Sequence, residues 1–148
     1  MELKTLSEIE IISAASSKIN EVDFENLTFG NVFTDHMLVC DYKDGAWQKP
    51  VIEPYAPFMI DPSSKVFHYG QAIFEGMKAY KDEQDDVWLF RPDENFHRFN
   101  KSASRMAMPE VPEDIFIDGL KTILDIERAW VKKGLGNTLY IRPFMIAV

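Results

Sequence analysis

The chain has 148 residues, 46% of them hydrophobic, enough for one domain with a real core and too many for a disordered segment. Its formal net charge of −8 argues against a nucleic-acid partner, because phosphate binding needs an excess of lysine and arginine. The single cysteine, Cys40, excludes an internal disulfide framework and a cysteine-rich metal site. The acidic opening Met1-Glu2-Leu3-Lys4 lacks the basic and apolar regions of a signal peptide, and no apolar run reaches bilayer-spanning length. A soluble, cytoplasmic chain with no membrane partner is expected.

Residues 1–24 form an expected extension. Leu6, Ile9 and Ile12 share a weak helical spacing, and the small polar run from Ser13 to Ser17 reads as a linker. Residues 36–42 then read as a strand, Lys43-Asp44-Gly45 as a tight hairpin turn, and residues 47–52 as the returning strand. Pro50, Pro54 and Pro57 limit regular pairing beyond it. Asp61-Pro62-Ser63-Ser64 is a turn, residues 66–69 read as extended, and residues 71–74 as one helical turn that Gly76 breaks. Residues 77–80 and 87–90 read as a hairpin with an acidic, solvated tip over residues 81–86.

Two helices carry stronger signals. Pro92 suits a first helical position, with Asp93 and Glu94 behind it favouring the positive helix end. Phe96, Phe99, Ala103 and Met106 form one apolar stripe, and Pro109 and Pro112 stop the helix. The second helix is expected over residues 113–133, with Phe116, Leu120, Ile123, Leu124 and Val131 as its buried face and Gly134 beyond its end. Residues 138–148 read as one apolar strand. An uncovered apolar strand is a poor domain end, so more protein is expected after Val148.

Three histidines, His36, His68 and His97, show no helical pairing, and no metal site is expected. No glycine-rich phosphate loop or nucleophile elbow is present. What remains is a set of aromatic and arginine residues at segment ends. Tyr140 and Arg142, two apart on a strand, share a face. A tyrosine hydroxyl beside a guanidinium can hold a carboxylate; equally, the tyrosine can serve sheet packing and the arginine a surface ion pair. Arg98 either reaches a phosphate or solvates the flank of its helix.

Several ordered pieces together resemble the branched-chain amino acid aminotransferases. They are Phe29-Gly30-Asn31-Val32-Phe33-Thr34-Asp35-His36-Met37, Gly45-Ala46-Trp47, His68-Tyr69, and Phe74-Glu75-Gly76-Met77-Lys78-Ala79. Leu89-Phe90-Arg91-Pro92, Asn95 to Arg98, Arg105 and Leu139-Tyr140-Ile141-Arg142-Pro143 complete the set. The resemblance runs from about Phe24 to the end of the chain.

It implies an α+β fold, the small N-terminal domain of the fold type IV pyridoxal-phosphate enzymes, with a mixed or antiparallel sheet and two main helices. Residues 25–148 would be that domain and residues 1–24 its extension. It implies pyridoxal 5'-phosphate as the whole enzyme's cofactor, with Arg98 on its phosphate. It also implies Phe29, Tyr69, Phe74, Tyr140 and Arg142 around a pocket for branched-chain amino acids and their 2-oxo acids. Arg142 would receive the glutamate side-chain carboxylate.

The family's Schiff-base lysine lies in a large domain outside this sequence, so Lys78 and Lys101 are not given that role. These residues alone are expected to be inactive. The whole enzyme is expected to be a homodimer, and the isolated segment to self-associate through uncovered apolar surface. A D-amino acid aminotransferase or an aminodeoxychorismate lyase of the same fold type, or a short non-catalytic binding module, are the alternatives.

Overall fold

The computed structural model describes residues 9–148. Chain order runs β1 (Glu10–Ile11), β2 (His36–Val39), β3 (Tyr42–Lys43), β4 (Ala46–Trp47), β5 (Val51–Pro54), α1 (Lys65–Tyr69), β6 (Ala72–Phe74), β7 (Met77–Lys81) and β8 (Val87–Leu89). It continues through α2 (Pro92–Arg105), a π-helical turn (Asp114–Asp118), α3 (Gly119–Ile126), a 3-10 turn (Arg128–Trp130), β9 (Leu139–Ile141) and β10 (Phe144–Ile146). The architecture is α+β: helices cover small sheets that are antiparallel apart from one strand pair, β1 with β5.

The hairpin at Lys43-Asp44-Gly45 forms as expected, with Asp44 at φ 54° and Gly45 at φ 80° closing β3 onto β4. The longer pairing lies outside it, between β2 and β5, in the register His36 with Pro54 through Val39 with Val51. Pro54 sits at the end of β5, where its missing N–H costs no ladder bond. Near the N-terminus, Glu10–Ile11 is extended and pairs with Val51–Ile52, so Ile9 and Ile12 do not lie on a helix. Leu6 lies outside the described residues.

Residues 65–74 reverse the expected order. Lys65–Tyr69 is the helix, seated on the Asp61 turn and closed by Gly70 in the left-handed region at φ 61°. Ala72–Phe74 is a strand, because β10 lies beside it in the register Phe74 with Phe144 and Ala72 with Ile146. The expected C-terminal strand over residues 138–148 divides in two. β9 pairs with β7, Pro143 interrupts the ladder, and β10 pairs with β6 in a different sheet.

The β7–β8 hairpin and α2 form where the patterns place them. Met77 and Ala79 face inward while Lys78 and Tyr80 face out, the alternation of a half-buried strand. From α2, Phe99 and Ala103 are buried, and Phe96 and Met106 rest against the same core. The second helix is shorter than residues 113–133 and broken into π, α and 3-10 turns, yet Phe116, Leu120, Leu124 and Val131 are buried as expected, with Ile123 half-buried. These side chains join Ile73, Met77 and Ala79 in one core. Gly119 lets α3 approach β2 closely, since a Cβ there would stand 2.7 Å from Leu38 Cδ2.

Phe99 is 3% exposed, and its ring centroid lies 5.5 Å from that of Phe116. Phe99→Ala is expected to lower stability by about 3–5 kcal/mol in urea unfolding. Leu135→Ala, at a fully exposed side chain, is expected to change it by less than about 0.5 kcal/mol.

Candidate functional site

Strand β9 lies beside β7 with Tyr140 opposite Lys78, on the outward face of the sheet. The two-residue step to Arg142 returns to that face, and the guanidinium folds back onto the tyrosine. Arg142 Nη2 donates to the Tyr140 hydroxyl at 2.7 Å and Nε at 3.2 Å. The same guanidinium lies 4.4 Å from the Phe74 ring centroid and 5.2 Å from that of Tyr140, a cation on two aromatic faces. The Phe29 ring meets Tyr140 edge-on, at 5.0 Å and 72°.

Phe29, Phe74, Tyr140 and Arg142 therefore converge from three separate parts of the chain. Gly76 is what lets them: a Cβ there would lie 2.4 Å from the Tyr140 hydroxyl oxygen. The cluster opens to solvent, with Phe29 75% and Phe74 62% exposed. Tyr69 is brought no closer to it by any ring contact or hydrogen bond. It ends α1, 78% exposed, with His68 its ring neighbour among the described residues.

Arg98 neither solvates its helix freely nor stands alone. Its Nε and Nη2 donate in parallel to Glu75 Oε1 and Oε2, both at 2.6 Å. Glu75 is the buried link between β6 and β7, 5% exposed, whereas the Arg98 side chain is 66% exposed. Asn95, one helical turn earlier, donates to Glu75 Oε2 at 2.9 Å. Glu75 escaped the sequence reading. Its signal was present, however, in an acid set between Phe74 and Gly76 and in Asn95 and Arg98 three apart on one helix face.

The hydrogen bond from Arg98 holds the Glu75 carboxyl below the ordinary glutamate range, against burial, which raises it, and with help from Asn95. This pair fixes which edge of the guanidinium is spent. The side chain is largely exposed and Nη1 is not used in this pair, which leaves it able to take one anion contact. A single such group fits a phosphate oxygen without enclosing a phosphate.

Other chemistry is poorly served. The Cys40 thiol is pushed up to about 11, by burial first and then by Asp41 and Asp114, so it is protonated at neutral pH and a weak nucleophile. His68 bonds the Pro62 carbonyl at 2.8 Å, and His36 is engaged with Glu127. Among the described residues no group of three or more metal-ligating side chains comes together, and no helix is long and apolar enough to cross a membrane.

No family model matches the chain. Its sequence relatives nevertheless define a class: over most of its length the chain is homologous to aminotransferases. More narrowly, the relatives it matches carry the name branched-chain-amino-acid aminotransferase or transaminase. Branched-chain-amino-acid transaminase 1 of Bacillus subtilis is 52% identical over 126 residues, covering 84% of this chain and 35% of that protein. Branched-chain-amino-acid aminotransferase 2 of the same organism is 46% identical over 137 residues, 92% of this chain and 38% of its own length. The enzyme of that name from Mycolicibacterium smegmatis is 42% identical over 135 residues, 90% of this chain and 37% of its own. The chain thus spans little more than a third of the length of these relatives.

Glu75 contributes its share of stability above the unfolded glutamate pKa, about 4.3, and loses it as pH falls through the lower folded value. Arg98→Ala removes the group that depresses it and leaves burial to act in the opposite direction. Arg98→Ala is expected to be less stable than the unchanged chain in urea unfolding at neutral pH, by a margin that shrinks as pH falls below the unfolded glutamate value, with Arg98→Lys in between.

Proposed function

We propose that these residues form the small, substrate-facing domain of a pyridoxal-phosphate-dependent branched-chain amino acid transaminase of fold type IV. It would exchange the amino group of leucine, isoleucine or valine with 2-oxoglutarate. The observation that carries the reading is Arg142, held on the Tyr140 hydroxyl and across the Phe74 ring within an open aromatic cluster. The relatives' names favour it over a D-amino acid aminotransferase, an aminodeoxychorismate lyase or a non-catalytic module.

The cluster suits a substrate pair that differs in polarity. Phe29, Phe74 and Tyr140 offer apolar faces to a branched side chain, and Tyr69 is assigned to the same pocket. While such a chain is bound, Arg142 stays on its tyrosine and phenylalanine, where ring faces and a hydroxyl take the place of water. When glutamate or 2-oxoglutarate binds, its distal carboxylate draws the guanidinium into a charge-assisted, bidentate pair. One pocket thereby accepts an apolar chain and an anion in turn.

Arg98, oriented by Glu75, would supply one contact to the phosphate of the cofactor. The cofactor, when bound, supplies the electron-withdrawing ring that labilises the substrate α-hydrogen. The lysine that handles that proton belongs to the larger domain. Residues 25–148 as the domain, residues 1–24 as its extension, a homodimeric whole enzyme and cytoplasmic residence belong to the same proposal.

A polypeptide joining this domain to the lysine-bearing one is expected to transaminate leucine with 2-oxoglutarate, and the 148 residues alone to show no turnover. In the active form, Arg142→Gln is expected to raise KM for glutamate by roughly tenfold or more, the loss of one hydrogen bond to a charged group. KM for leucine is expected to change by less than about threefold. An equal change for both substrates overturns the role of Arg142; absence of turnover in the joined polypeptide overturns the reading itself.

A further inference from the structure

The segment between the 3-10 turn Ile19–Glu21 and β2 has no regular strand or helix, yet it carries Phe29 to the site. Its two ends meet at Asp35. Asp35 Oδ1 accepts the Lys18 backbone N–H at 3.0 Å, and Oδ2 accepts the Ser17 hydroxyl at 2.5 Å. The Trp130 indole donates to the same Oδ2 at 3.0 Å, tying the junction to the helical layer.

The neighbouring His36 adds a second tie. Its Nε2 accepts the Ala14 N–H at 2.9 Å, so the ring hydrogen sits on Nδ1, facing the buried Glu127 carboxylate. Glu127 also receives the Asp35 N–H at 3.4 Å. Rings close the base further: Phe33 stacks on Tyr55 at 4.7 Å and 8°, and the Phe24 edge meets Trp130 at 6.1 Å.

We infer that Asp35 and His36 are positioning residues: they close this loop at its base and so hold Phe29 against Tyr140. Residues 18–35 behave as one long loop, closed at its base, whose tip faces the site. Phe29 is largely exposed and has Tyr140 as its ring partner, a contact too small to order an irregular segment by itself. Ordering comes from the base, where the two ends are pinned and little chain freedom is left to lose. The Thr34-Asp35-His36-Met37 motif then has a physical reason. It brings a carboxylate and an imidazole to the start of β2, where both ends of the loop can be reached. The substrate-facing role of Phe29 rests on the proposed function; the closure itself does not.

Two measurements separate these. In the 148-residue chain, Asp35→Ala is expected to lose the Phe29–Tyr140 ring NOE and to shift the Trp130 indole N–H resonance. Proteolysis within residues 22–34 should speed up by roughly fivefold or more, while the Phe99–Phe116 NOE persists. Asp35→Asn, which keeps an oxygen for the Lys18 N–H, should fall between, and it serves the same comparison if the alanine variant does not fold.

A Phe29–Tyr140 NOE unchanged in both variants overturns the inference, whatever the activity. In the transaminating polypeptide, Asp35→Asn is expected to raise KM for leucine several-fold with kcat nearly kept, and this effect should vanish in a Phe29→Ala background. Additive effects would show that Asp35 does not act through Phe29, and would overturn the positioning role. Loss of the NOE in a polypeptide without transaminase activity would uphold the closure and remove the function.

Discussion

Burying a carboxylate without partners is prohibitive, and Glu75 is buried where β6 gives way to β7. The bidentate arm of Arg98 and the amide of Asn95 meet that demand, so α2 must sit where both can reach the link. Glu75 has Phe74 on one side and Gly76 on the other. Its anchorage therefore sets the aromatic face that Arg142 lies on and the gap that admits the Tyr140 hydroxyl. Both elements of the aromatic–arginine cluster inherit their places from one ion pair. Because Arg98 is mostly solvated, the pair's value lies in geometry more than in Coulomb energy.

The sheet topology enforces the same arrangement from the other side. β6 and β7 follow one another in sequence but pair with different partners, β10 and β9, and those partners also follow one another. Two consecutive strands thus face two consecutive strands across a break. In one pair the break is Glu75-Gly76, in the other Arg142-Pro143. The Glu75 N–H donates to the Pro143 carbonyl at 2.8 Å and joins the two breaks directly. Arg142 leaves the ladder at that break, and its side chain turns back over Tyr140 and Phe74.

What the sequence discloses follows from the range of the forces involved. Alternation in residues 77–80 and the Pro92 start of α2 are local, and both elements form where the pattern puts them. The order of residues 65–74 is decided by β10, more than sixty positions away, so no window over those residues could distinguish helix from strand. The break at Pro143 was readable, because a proline in a ladder lacks a donor, and a single strand through it was the wrong expectation. Phe29, Phe74, Tyr140 and Arg142 lie together, but only the shared face of Tyr140 and Arg142 follows from strand periodicity; Phe29 and Phe74 were grouped with them by family resemblance. Tyr69, grouped with them by the same resemblance, makes no ring contact or hydrogen bond to them among the described residues. Glu75 and Asp35 were passed over because an acid in a loop reads as solvated until its donors are known.

Where Arg142 rests bears on how the proposed enzyme could treat opposite substrates evenly at one site. A guanidinium exposed to water would carry a full hydration shell, and an apolar side chain entering beside it would have to strip that shell without return. On Tyr140 and Phe74 part of the shell is replaced by a hydroxyl oxygen and two ring faces, so in the proposed enzyme an apolar substrate would have less water to strip from the exposed arginine. These replacements are individually weak. A carboxylate offers two charge-assisted bonds in their stead, enough to draw the arginine off its rings without large rearrangement of the strand beneath it. The balance needs ring positions that do not drift, and the three rings are anchored separately: Phe74 through Glu75, Tyr140 through the β7–β9 ladder, and Phe29 through the closed base of its loop.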